Sequence, residues 1–172
     1  QSGLGLPDEA YYREEAHAET LSAYEKHVAE MLEFLDPARL FGLGAEVAAH
    51  RIVSLEKELA AGHWDVVSTR DAVKTYNPCE FSELPTMTRA LLSGGNLPEH
   101  RVVNMMPSYL EHFEGLFTSN RMADWQLWAT WHILRSRAAM LPEEVGAKNF
   151  EFYGTKLSGA TQQRDRWKRA VG

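Results

Sequence analysis

Seven histidines, one cysteine and five tryptophans are the residues of this 172-residue chain best suited to holding a metal or a ligand. Metal-assisted hydrolysis from a helix uses His-Glu-x-x-His, because histidines four apart share one face and hold zinc while the glutamate activates its water. The chain contains neither that motif nor the inverted His-x-x-Glu-His. The nearest spellings, Glu99-His100-Arg101 and Glu111-His112-Phe113-Glu114, lack the second histidine and the order. No two histidines stand three or four residues apart, so no helix face offers a ligand pair. His132 reads as a hydrogen-bonded core histidine on a long buried helix. No nucleophile-elbow pattern surrounds a serine, which leaves Ser–His–Asp or Cys–His chemistry only to groups that meet in space. Cys79, next to Pro78, has no basic neighbours to activate its thiol and reads as inert; being alone, it forms no intrachain disulfide. Trp125, Trp128 and Trp131, three apart among aliphatic neighbours, read as packing. No residue is assigned a catalytic, cofactor-binding or metal-binding role.

The elements that position these residues are helices. Residues 9–35 hold no Pro or Gly, and Leu21, Tyr24, Val28, Met31, Leu32 and Leu35 recur at helical spacing, with Asp8 as cap, Glu9 in the first turn and Pro37 as stop. After Phe41-Gly42-Leu43-Gly44, the positions Ala48, Ile52, Leu55 and Leu59 predict a second helix, antiparallel to the first, with Gly62 as a left-handed stop. From 63 to 104, Asn77-Pro78, Pro85, Ser93-Gly94-Gly95-Asn96 and Pro98 predict short helical turns and loops, with a brief extended segment at Arg101-Val102-Val103-Asn104. Pro107 starts a helix through about Thr118, whose apolar side is Tyr109, Leu110, Phe113, Leu116 and Phe117, before a break at Ser119-Asn120. Residues 121–140 carry two apolar stripes, Leu127, Trp131, Leu134, Ala138 and Leu141 beside Met122, Trp125, Ala129 and His132, which predicts a central helix. Pro142 enters the first turn of the next helix with Glu143 and Glu144, Gly159 lies beyond its end, and Thr161 caps a last helix with Arg164, Trp167 and Arg169. The fold class is mainly α: a multi-helix domain, 1–172, with short irregular connections and at most a small extended segment.

Composition narrows the function classes. The length fits one domain, and 44% hydrophobic with 24% charged residues is the balance of a folded protein. A net charge of −6 and a pI near 5.6 argue against nucleic acid as a partner. The most apolar stretch, 125–141, is interrupted by Gln126, His132, Arg135 and Arg137, which argues against a membrane span. The opening Gln1-Ser2-Gly3 looks like a cut end. Arg164, Arg166, Lys168 and Arg169 make the last segment basic, against an acidic start carrying Glu14, Glu15, Glu19, Glu25, Glu30 and Glu33. These read as a solvated helix end, or as groups that approach a partner surface.

Order and spelling together resemble the neprilysin and endothelin-converting-enzyme family of zinc metalloendopeptidases. The resemblance begins at Gly5-Leu6-Pro7 with the pair Tyr11-Tyr12. It continues through Leu55-Glu56-Lys57-Glu58-Leu59-Ala60, Tyr76-Asn77 and Pro107-Ser108-Tyr109-Leu110, and closes on Phe152-Tyr153-Gly154, Leu157-Ser158-Gly159 and Arg166-Trp167-Lys168-Arg169. Ala170 stands where animal secreted members have a cysteine, which fits the disulfide-poor bacterial branch. The resemblance implies a non-catalytic helical domain that faces a zinc-bearing domain of the same polypeptide across a cavity and restricts entry to small peptides. Zinc and the catalytic residues then come from sequence after Gly172. A cytoplasmic or secreted bacterial location follows, cytoplasm preferred, and the isolated piece is expected to dimerise through its uncovered apolar face. A stand-alone helical module binding a peptide or protein, and a cofactor-binding bundle using His, Met and Trp, stay open beside it.

Overall fold

The computed structural model describes residues 3–95, 100–165 and 167–168. The sequence readings at Gln1, Ser2, Asn96, Pro98, Glu99, Arg166, Arg169, Ala170 and Gly172 lie outside these. The helices run α1 (Ala10–Arg13), α2 (Ala18–Leu32), α3 (Ala45–Gly62), α4 (Thr86–Gly94), α5 (Pro107–Leu116), α6 (Met122–Arg137) and α7 (Glu143–Phe150), joined by 3-10 turns. Two short strands, β1 (Pro78–Cys79) and β2 (Val102–Val103), form an antiparallel ladder pairing Pro78 with Val103 and Cys79 with Val102. The fold is mainly α, and the extended segment expected at 101–104 is β2. Among the described residues no helix is long and apolar enough to cross a membrane.

The chain folds into two compact units, Gln1–Glu14 with Glu56–Met122, and Glu15–Leu55 with Ala123–Gly172. In the first, Leu4, Leu6, Tyr12, Leu59, Phe81 and Leu84 are buried around the end of α3. In the second, Tyr24, Val28, Met31 and Leu32 of α2 are buried, as are Ile52 of α3, Leu127 and Trp131 of α6 and Phe152. Trp131 Nε1 donates to Tyr24 Oη over 2.8 Å, giving a fully buried indole the one acceptor it needs.

Several expected boundaries move. The helix expected over 9–35 is two, because the Glu14 backbone is extended (φ −85°, ψ 132°) and a 3-10 turn at Glu15–His17 precedes α2. The break coincides with the passage from one unit to the other. Asp8 Oδ1 accepts from Ala10 N at 3.0 Å in a turn that leads into α1, while the N-cap position is Glu9, which makes no side-chain cap. The periodic pattern stops at Leu32, and Asp36 caps a 3-10 turn at Pro37–Leu40 by accepting from Ala38 N at 2.8 Å. Gly62 is no left-handed stop: it closes α3 in helical conformation, and a Cβ there would lie 2.3 Å from Cδ2 of His112. Pro142 stands just before α7 rather than inside it, with its carbonyl accepting from Val145 N. Beyond α7 a π-helical turn, Glu151–Lys156, continues the coil, and Gly159 turns the chain at φ +70°. Residues 161–165 are not helical, so Thr161 caps nothing there; Trp167 and Lys168 are helical. His132 is half-buried rather than core, because α6 turns Leu127, Trp131 and Leu134 inward and leaves His132 at the margin against Trp128, centroids 4.3 Å apart.

Candidate functional site

Within the first unit, several residues that carried the family resemblance are held by hydrogen bonds. Tyr12, two positions after the start of α1, places its hydroxyl between two backbone donors and one carboxylate. Gly5 N and Leu6 N each donate to Tyr12 Oη at 3.0 Å, and that hydroxyl donates to Glu56 Oε2 at 2.7 Å. Glu56 is fully buried on α3. Burial, then the neighbouring carboxylate, pushes the Tyr12 phenol well above its ordinary pKa, so it is a neutral donor at pH 7. Gly5, Leu6, Tyr12 and Glu56, from three of the motifs, are thus one hydrogen-bonded network in the first unit.

The other motifs behave alike. Asn77 Nδ2 donates to the carbonyls of Lys74 (2.9 Å) and Asn104 (3.1 Å), while Asn104 N donates to Asn77 O at 2.9 Å, which extends the β1–β2 ladder by a clamp. Pro107 opens α5, whose Ser108 Oγ accepts from Trp64 Nε1 at 2.7 Å and whose Tyr109 ring stacks on His63 at 4.2 Å. Burial raises the Tyr109 phenol pKa. His112 Nε2 donates to the Glu58 carbonyl at 2.7 Å, so that histidine ties α5 to α3. Arg121 forks onto both oxygens of Glu58 at 2.6 Å.

Each unit has concavities among the described residues. In the first unit an apolar groove of about 350 Å³ runs between α4, β2 and α5, lined by Leu84, Leu92, Val102, Met106, Tyr109 and Leu110. In the second unit a cavity of about 150 Å³ lies between α2 and α7, with His27, Ala23 and Phe152 beside Lys26, Lys148, Lys156, Glu30 and Glu151. His27 stacks face to face on Phe152 at 4.8 Å and meets Trp131 edge-on at 5.8 Å. Burial, opposed by Glu30 and aided by Lys148, lowers the His27 pKa to about 4, so the ring is neutral at pH 7. Lys148 Nζ bridges Glu30 (2.9 Å) and Glu151 (3.1 Å), which raises its own pKa and lowers that of Glu30.

His100, His112, His132, Cys79 and the tryptophan series stand out in the sequence, and among the described residues they do not converge on one metal-ligating cluster. His112 is committed to a backbone carbonyl, Cys79 is a half-buried free thiol in β1, and Trp125 and Trp131 are buried. Trp128 meets Trp125 edge-on at 5.6 Å, as packing requires. Sequence reasoning passed over His27. Its signal was present: the imidazole sits between Tyr24 and Met31 on the apolar stripe of α2, with Glu30 three residues on. Among the described residues no three His, Cys, Asp or Glu side chains converge as metal ligands. The donors present therefore do not fit a zinc centre, which needs three or four such groups around one point.

The described residues form a mainly helical fold in which several of the sequence motifs serve as structural contacts. A profile of the N-terminal part of peptidase family M13 matches residues 1–172, and the chain belongs to that family. Neprilysin-2 of Drosophila melanogaster is 28% identical over 186 residues, covering 99% of this chain and 23% of the relative. The zinc metalloprotease 1 of Mycobacterium tuberculosis in its open state is 42% identical and superimposes with a TM-score of 0.83. The same metalloprotease in complex with an inhibitor is 41% identical with a TM-score of 0.84, and each match covers 99% of this chain and 27% of the other. The chain spans about a quarter of the length of the relatives it matches.

Proposed function

We propose that this chain is a non-catalytic helical portion of a zinc metalloendopeptidase that cleaves small peptides, and that it helps to enclose and gate the cavity where cleavage occurs. The observation that carries the reading is the family match over residues 1–172 in a sequence without His-Glu-x-x-His. Zinc, its ligands and the glutamate that activates water belong, on this reading, to another part of the polypeptide, which is this chain's principal partner. The solved relative, described in an open state, a partial open state and with an inhibitor, supports a role in opening and closing.

A second reading, a helical module that binds a peptide or protein without catalysis, is favoured by the apolar groove beside β2, where Met105 and Val103 are exposed. One comparison separates the two. Peptidase activity and zinc content are measured on this chain and on a polypeptide extended to the length of the relatives, with a quenched-fluorescent peptide and a chelator control. Zinc binding and chelator-sensitive cleavage by the longer form alone support the gating reading. Cleavage by this chain alone overturns it, and cleavage by neither form favours the binding module.

A further inference from the structure

The two-stranded sheet leaves the outer edge of β2 open. Asn104 N donates to Asn77 O at 2.9 Å, so residues 104 and 77 are a hydrogen-bonded pair of the antiparallel ladder. Such pairs alternate, and Val103, opposite Pro78, therefore turns its N–H and C=O away from β1. Pro78 fits that register, having no N–H to offer there. Among the described residues no hydrogen bond reaches the backbone of Val103 or Met105 outside the ladder, and the two residues are 48% and 61% exposed, so the edge is reachable from solvent.

The same stretch of chain forms one wall of the groove of about 350 Å³, whose other walls are Leu84, Leu92 of α4 and Tyr109 and Leu110 of α5. No lining side chain carries a charge. An open backbone edge along the rim of an apolar groove has the two parts that strand addition uses: main-chain groups that pair, and a pocket for an alternate side chain. A small apolar molecule fills the groove and leaves the edge bare. An extended peptide answers both. A second copy of this chain fits less well, because pairing β2 with β2 sets groove against groove and leaves both unfilled.

We propose that the β2 edge binds an extended peptide of another molecule by strand addition. The peptide N–H donates to Val103 C=O, its C=O accepts from Val103 N–H, and a neighbouring apolar side chain sits in the groove. The proposal rests on the groove of the second reading above and gives it a ligand and a binding mode. Its failure is distinguishable from failure of the peptidase reading, which is decided by zinc content and cleavage and not by binding at β2.

The test titrates the 172-residue chain with the capped peptide acetyl-Thr-Leu-Thr-Leu-Thr-amide, read by backbone amide resonances. The Val103 and Met105 amides are expected to shift saturably, and exchange of the Val103 N–H with solvent to slow. N-methylation of the central peptide nitrogen removes one backbone donor and is expected to weaken binding about fivefold. Val103→Pro removes the outward N–H without touching a ladder bond and is expected to weaken it by a similar factor. Met105→Ser, at an exposed groove-lining position, is expected to cost about threefold. The methylated peptide needs no variant, so the test stands even where Val103→Pro fails to fold. No saturable shift at these amides, or equal binding of the methylated peptide, overturns the proposal. Shifts of the same amides on concentrating the chain alone, with dimer in sedimentation, assign the edge to a second copy and overturn it. So does loss of binding in a polypeptide extended to the length of the relatives, which assigns the edge to another segment of the same chain.

Discussion

Tyr12 and His27 show how much one buried polar side chain does in this fold. Removing the Tyr12 hydroxyl takes away the donor to the buried Glu56 carboxylate and the acceptor of Gly5 N and Leu6 N. Tyr12→Phe is therefore expected to lower unfolding stability by about 2 kcal/mol, as loss of a hydrogen bond to a buried charged group does, measured by urea denaturation at pH 7. His27 sets a different signature. The unfolded imidazole takes a proton near pH 6.5 and the folded one only near 4. Stability is thus fully present above pH 6.5 and is lost as pH falls toward 4, by about 3 kcal/mol for a shift of that size. In His27→Phe that part of the pH dependence is expected to vanish, and a variant retaining the wild-type slope between pH 6.5 and 4 would contradict the assignment. The identity of both residues was plain in the sequence. Their partners were not, because Glu56 lies 44 residues from Tyr12 and nothing local announces the pairing.

At the scale of elements, glycines separate what periodicity reads from what packing decides. Gly62 and Gly115 both sit in helices, where alanine is intrinsically better by about 1 kcal/mol. A Cβ on Gly115 meets nothing within 4 Å, so Gly115→Ala is expected to raise the thermal midpoint. A Cβ on Gly62 falls 2.3 Å from the His112 ring, which is held by its bond to the Glu58 carbonyl, so Gly62→Ala is expected to destabilise by about 1–3 kcal/mol. Calorimetry on the two variants reads both signs. The apolar stripes of α2, α3, α5 and α6 and the short β2 were legible from spacing alone. The break at Glu14 was not, since nothing in residues 9–35 disfavours a continuous helix. What ends α1 is the passage of the chain out of the unit that holds Tyr12. The π-helical turn at Glu151–Lys156 was equally silent, as a single extra residue leaves no period to read.

For the molecule as a whole, exposed apolar side chains are the feature with a consequence. Ile133, Met140 and Met105 are each more than 60% exposed. The 172-residue chain is accordingly expected to self-associate, and sedimentation equilibrium showing only monomer at high concentration would contradict that. The mainly α class, the apolar stripes of the longer helices and the family resemblance came from the sequence alone, because period and motif order are properties of local composition. Which motif residues touch was decided by the tertiary structure: the Gly-Leu-Pro stretch, Tyr12 and Glu56 meet only when α1 and the end of α3 share one unit. The His27 cavity was decided there too, since Lys148 and Phe152 lie more than a hundred residues along the chain. The burial of the ring and its stacking on Phe152 exist only once those segments close around it, and a one-dimensional pattern carries neither.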